Sequence, residues 1–211
     1  VVTQAVEMLS PRSVNIVNNI YLNPGKYLND KLTAIQPKTR ELVSLALIRQ
    51  AYLEPAEAAK ELEKLRWRAQ LTAEERSWIW GVIGKRAAQK LSDDAPAYFL
   101  RGQASQMHED HLAWMARAAL RMGNWAQVLE ATNAMGEAQR NEPTWTYWHA
   151  RALLRQTSSE SARAKALQLL EGIAGVRGFY EQLALEELGQ RITLPPKPEP
   201  LSPQEQEAAQ Q

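Results

Sequence analysis

Three tryptophans, Trp80, Trp114 and Trp148, stand 34 residues apart. The last two head one eight-residue pattern, Trp114-Met-Ala-Arg-Ala-Ala-Leu-Arg121 and Trp148-His-Ala-Arg-Ala-Leu-Leu-Arg155, identical at six positions of eight. A repeat of this length is a helix–turn–helix unit that buries its apolar face only by stacking on its neighbours. The chain must therefore be an array of helix pairs. Trp80, followed by Gly81-Val-Ile-Gly84, carries little of the surrounding pattern and is a weaker member.

The spacing predicts an all-α fold, an α-solenoid or superhelix of antiparallel, tetratricopeptide-like helix pairs. Abundant Ala, Leu, Glu, Gln and Arg favour helix throughout. Breakers divide the chain. A first helix ends near Ser10-Pro11 and a second covers Val14–Tyr21 before Asn23-Pro24-Gly25, with a segment over Lys26–Thr33 after it. Pro37 sits near the start of a helix to Tyr52, with Leu42, Leu45, Ala46 and Arg49 spaced as a packing face. Pro55 opens Ala56–Arg68, whose stripe is Ala58, Ala59, Leu62 and Leu65. Thr72-Ala-Glu-Glu75 is a capping box that starts a long helix to Leu91. Asp94–Gln106 pairs with Asp110–Met122; Gly123-Asn124 then turns the chain. Asn124 caps Trp125–Met135, with Gln127 in the reciprocal position. Thr144–Arg155 follows, then a helix capped by Ser158 or Ser159 and running to Ile173, then Phe179–Leu188.

The helical-repeat domain is thus expected over residues 1–193. Leu194–Pro203 has five prolines in ten residues and reads as an extended linker. Ser202-Pro203-Gln204-Glu205 announces a new helix, so 204–211 reads as the start of a further helix or domain, and the chain as part of something longer. The N-terminus starts as if already inside a helix and lacks the features of a signal peptide.

Charge and composition exclude several classes. The net charge is +1 with both signs interspersed, which argues against a nucleic-acid partner. There is no cysteine, hence no disulfide framework or thiolate site. No apolar run approaches the ~20 residues of a membrane span. Nothing in the sequence calls for a cofactor. His108-Glu-Asp-His111 gathers four potential ligands but lacks the i,i+4 histidine spacing of zinc proteases, and it reads as the acidic start of a helix, so no metal site is expected. Glu57–Lys60 and Glu61–Lys64 read as ion pairs on a solvated face.

Two motifs carry a resemblance. The first is Trp145-Thr-Tyr-Trp-His-Ala-Arg-Ala-Leu153; the second, about 25 residues on, is Gly178-Phe-Tyr-Glu-Gln-Leu-Ala-Leu-Glu-Glu-Leu-Gly189. In this order and spacing they resemble the superhelical domain of soluble lytic murein transglycosylases, periplasmic enzymes of Gram-negative bacteria. The resemblance implies a helical array followed by linker and catalytic domains that lie beyond this chain. It implies a whole enzyme that acts on peptidoglycan glycan strands, cleaving MurNAc–GlcNAc bonds to 1,6-anhydromuramoyl products. It also implies a periplasmic location, with outer-membrane association through a missing N-terminal segment. The family's catalytic Glu-Ser is followed by Gly-Leu-Met-Gln and Ala-Tyr-Asn-Ala-Gly. Here Glu160-Ser161 has neither downstream, because no Met follows Met135. Glu160 reads as a first-turn acid, and no catalytic residue is expected.

Indole faces stack on sugar rings. Trp114, Trp125, Trp145 and Trp148 fall at repeat positions and read as packing residues. Trp67, flanked by Arg66 and Arg68, is the candidate for a glycan-facing surface. The alternative to a transglycosylase scaffold is a stand-alone tetratricopeptide-like adaptor that binds protein.

Overall fold

The computed structural model describes residues 13–193, apart from 31, 32, 34, 35 and 157, together with residue 197. The predicted helix before Ser10, the proline linker and the helix at 204–211 lie outside the described residues. Among the described residues all regular structure is helical. In chain order the α-helices are α1 (Val14–Leu22), α2 (Pro24–Asn29), α3 (Pro37–Leu53), α4 (Pro55–Leu62), α5 (Leu65–Gln70), α6 (Ala73–Gln89) and α7 (Ala95–Phe99). After a 3-10 turn at Ala104–Gln106 come α8 (Glu109–Arg121), α9 (Trp125–Ala134), α10 (Glu137–Arg140), α11 (Pro143–Gln156), α12 (Glu160–Ile173) and α13 (Phe179–Glu187).

Contacts run mainly between helices close in sequence: α3 with α4 and α6, α6 with α7 and α8, α8 with α9, α9 with α11, α11 with α12 and α12 with α13. This is the quasi-one-dimensional stacking that a 34-residue period requires. Trp114 and Trp148 are each the sixth residue of their helices, α8 and α11, and both are half-buried. The repeat is therefore structural as well as textual. Trp80 is buried in α6 and stacks on Tyr98, with ring centroids 6.2 Å apart.

The capping chemistry decides several boundaries. Thr72 Oγ1 accepts from the Glu75 amide at 3.1 Å and Glu75 Oε2 accepts from the Thr72 amide at 2.7 Å, which closes the box that starts α6. Gly123 adopts φ +67, the left-handed turn that a glycine supplies without a Cβ penalty. Asn124 and Ser159 accept from Gln127 and Ala162 amides, starting α9 and α12. Gln127 does not complete a reciprocal box, however. Its Nε2 donates instead to the Pro96 carbonyl at 2.9 Å, tying α9 to α7.

Three expectations are corrected by tertiary contacts. The helix expected over Ala56–Arg68 breaks after Leu62, where Lys64 is extended (φ −59, ψ 137). The break carries Trp67 into the core and leaves Leu65 at 79% exposure. The helix expected over Asp94–Gln106 is only Ala95–Phe99. Beyond it Gly102 comes so close to α6 that a Cβ there would lie 3.1 Å from Ser77 Cα, and the Gln103 amide donates to Ser77 Oγ at 3.0 Å. On α3 the fully buried residues are Val43, Ala46, Leu47 and Ala51. Leu42 and Leu45 flank them half-buried, and Arg49 lies outside, over the Tyr21 ring at 4.0 Å.

The central helix α6 packs through two missing side chains. A Cβ on Gly84 would meet three ring carbons of Phe99 at 2.8 Å, and one on Gly81 would meet His111 Nδ1 at 2.4 Å. In a free helix, Gly→Ala stabilises by about 1 kcal/mol. Phe99 is fully buried and has nowhere to move. Gly84→Ala should therefore destabilise the protein, by about 1–3 kcal/mol, in urea unfolding followed by circular dichroism. Phe99→Leu should lessen the loss in the double variant. An increase in stability with Gly84→Ala would contradict this packing.

Candidate functional site

The residues expected to face glycan are found in three different situations. Trp67 is fully buried, so its ring is a core element and not a surface platform. Its Nε1 donates to Glu61 Oε1 at 2.9 Å, as a buried indole N–H requires. Arg66 lies over the Trp67 ring at 4.2 Å and is committed to Glu61 at 2.7 Å and to the carbonyls of Leu28 and Asp30. Burial pushes the Glu61 carboxyl up, but hydrogen bonds from Lys64, Arg66 and Trp67 outweigh it and hold its pKa below the ordinary value. Only Arg68 is exposed.

The exposed indole is Trp78, which the sequence pattern did not single out. It is the one exposed indole of the seven tryptophans, at 41%. It sits on α6 beside a groove of about 650 Å³ between α3 and the start of α6, lined by Arg40, Glu41, Ser44, Thr72 and Glu74 as well as Leu45 and Ile48. The ring is held edge-on by two imidazoles, His108 at 5.5 Å and His111 at 5.1 Å. Glu75 is already engaged by the capping box and by Arg40 Nε at 3.4 Å. Glu41 and Glu74 remain exposed acceptors on the two sides of the groove. A fixed apolar plate flanked by carboxylates and a threonine hydroxyl is able to stack a pyranose ring and accept its hydroxyls.

A second groove, of about 350 Å³, lies on the other side of α6. Arg68, Arg76 and Arg101 line it together with Glu63, Gln103, Leu62 and Trp80. Residues 73, 76, 77 and 80 line this side, and 74, 75, 78 and 79 the other, as the 3.6-residue helical period dictates.

The His108–His111 segment has structural tasks. His108 Nδ1 accepts from the Asp110 amide at 3.2 Å, Glu109 Oε1 accepts from the Gly136 amide at 2.8 Å, and Asp110 pairs with Lys85. Among the described residues no group of three or more His, Asp or Glu is arranged to hold a metal ion. Glu160 is exposed in the first turn of α12, directly after the Ser159 cap.

The two motifs of the C-terminal half pack on one another. Trp148 Nε1 donates to Tyr180 Oη at 3.4 Å, Tyr147 and Tyr180 rings lie 5.6 Å apart, and Arg151 bridges Tyr147 Oη and Glu187 at 3.1 Å each. Trp145, Tyr147, Trp148 and Tyr180 are thus packing residues, whereas Phe179 is 70% exposed.

No protein-family model matches the chain, and no curated protein matches it. An X-ray structure of an inactive mutant of lytic transglycosylase Slt from Pseudomonas aeruginosa superposes on 96% of this chain with a TM-score of 0.68 and 23% identity. The two share a fold. The chain spans 32% of that structure's length. No helix among the described residues is long and apolar enough to cross a membrane.

Burial lowers the pKa of His111 to about 4, and that of His149 likewise to about 4. His149 Nδ1 lies 2.8 Å from Thr132 Oγ1, which itself lies 2.9 Å from the Val128 carbonyl; with the hydroxyl proton on that carbonyl, Nδ1 carries hydrogen. In the unfolded chain both imidazoles titrate near the ordinary value of ~6.5. Between these values the unfolded state binds more protons, so stability is complete above pH ~6.5 and is lost as pH falls towards ~4. Each group contributes on the order of 3 kcal/mol at most. The unfolding free energy should therefore fall steeply from pH 7 to 4.5, with both histidine Cε1 proton shifts still those of neutral imidazole at pH 5.5 in the folded protein. Titration of either near pH 6.5 would contradict its burial.

Proposed function

We propose that the chain is the non-catalytic helical scaffold portion of a periplasmic peptidoglycan lytic transglycosylase. In this reading the bond cleavage belongs to a catalytic domain outside these residues, and this portion holds that domain and guides glycan strands to it. The observation that supports the reading most is the fold likeness to Slt, which extends over nearly the whole chain yet accounts for under a third of Slt. The place of Glu160 agrees: it is exposed, at a helix start, and outside both grooves.

Within this scaffold the glycan-facing residue is Trp78. A sugar ring stacked on its exposed face would leave hydroxyls within the groove lined by Glu41, Glu74 and Thr72. Trp67, enclosed by Arg66 and Glu61, is not available for that role.

The chain incubated with purified sacculi should release no anhydromuropeptides detectable by mass spectrometry, yet should co-sediment with them. Trp78→Ala should weaken that co-sedimentation about tenfold, equivalent to ~1.4 kcal/mol of lost contact, measured at a temperature where circular dichroism shows both proteins folded, since loss of the ring's contacts with His108 and His111 also lowers the thermal midpoint. Anhydromuropeptide release that disappears in Glu160→Gln would overturn the non-catalytic reading. Failure of the folded chain to sediment would remove glycan contact from it.

A further inference from the structure

The groove on the far side of α6 has a charge imbalance that the fold does not use. Three guanidiniums, on Arg68, Arg76 and Arg101, line it against one carboxylate, Glu63. Arg101 is spoken for: it pairs with Glu63 and lies over the Trp80 ring at 5.1 Å and the Tyr98 ring at 5.6 Å. Arg76 uses one NH1 donor on the Arg68 carbonyl at 3.1 Å, which anchors its guanidinium at the end of α5 and leaves its other donors. Arg68 is exposed, and no acceptor among the described residues engages its guanidinium. Once the Arg101–Glu63 pair is set aside, two positive charges remain at the mouth of the groove. Ala73 is the exposed apolar wall beside them, with Leu62 and Trp80 buried behind it at 2% and 6% exposure.

Guanidinium forks match carboxylates in bidentate geometry and hold them more tightly than an ammonium does. Two such forks on separate helices, α5 and α6, are suited to two separate carboxylates. The apolar wall asks for a carbon backbone between them, and the groove is at the small end of ligand-site volumes. Like-charged arginines brought together without acceptors repel, and a bound dianion removes that repulsion.

We propose that this groove binds a small organic dicarboxylate, with one carboxylate on Arg68 and the other on Arg76. The inference rests on the charge and shape of the groove and does not depend on the peptidoglycan reading. Two sources carry this chemistry: a free dicarboxylic acid, and the acidic C-terminal residue of a peptide, whose side-chain and terminal carboxylates form the pair.

Calorimetric titration of the protein at low salt distinguishes them, with glutarate, acetyl-Ala-Ala-Glu, acetyl-Ala-Ala-Gln and inorganic phosphate as the four titrants. Binding of glutarate or of the Glu-terminated peptide is expected, and whichever is tighter names the source. The Gln-terminated peptide should bind about tenfold more weakly, through loss of one charged fork contact. Arg68→Gln, an exposed change, should likewise weaken binding about tenfold while leaving the thermal midpoint in place, and Arg68→Lys should restore it only in part. The proposal is overturned if neither dicarboxylate binds, if phosphate binds more tightly than both, or if Arg68→Gln binds as the parent does.

Discussion

The close approach of α6 to α7 and α8 is the contact on which the rest of the structure depends. It exists because positions 81 and 84 carry no side chain: Phe99 fills the space above Gly84 and His111 the space above Gly81. The helix is thereby packed against α3, α4, α7 and α8 at once. Its two remaining faces form the walls of two grooves. Trp78 and Trp80 are two residues apart, about 200° around the helix, so one indole faces the outer groove while the other stacks on Tyr98 within the core. One helix thus separates a groove with an excess of carboxylates from one with an excess of guanidiniums.

The C-terminal half is built by a different device. Tyr147, Trp148 and Tyr180 form an aromatic cluster whose polar tips are hydrogen-bonded to one another, to Arg151 and to Glu187. Buried aromatics of this kind contribute area and a directional contact together. The two motifs that carry the family resemblance are therefore the two sides of one packing contact. That contact belongs to the fold and not to chemistry.

Much of the fold was legible because the relevant forces are local. The 34-residue period, the Thr72–Glu75 box, the Gly123 turn and the Asn124 and Ser159 caps all act within four residues or through helical periodicity. The sequence misled where a distant contact outweighed a local preference. No Gly or Pro marks the break at Lys64; it is driven by burying Trp67 and satisfying its N–H on Glu61. The helix after Asp94 stops early because Ser77, 26 residues before Gln103, takes that residue's amide. Gln127 leaves its expected cap for the Pro96 carbonyl, 31 residues away. The site failed for the same reason. Arginines on either side of Trp67 suggested a surface, yet Arg66 covers the indole while its own donors turn inward. Trp78 gave no local signal, since its exposure is decided by where α3 and the histidines of α8 fall.

In the function proposed above, this helical scaffold meets glycan through one fixed indole on α6. The seven tryptophan indole N–H resonances in a 15N-labelled sample, titrated with soluble un-crosslinked GlcNAc–MurNAc chains, test it directly. The Trp78 resonance should shift progressively and saturate, while those of the buried Trp67, Trp80 and Trp145 stay in place. A saturable shift at other indoles with Trp78 unmoved, or no indole shift at glycan concentrations that sediment the protein with sacculi, would rule out Trp78 as the contact.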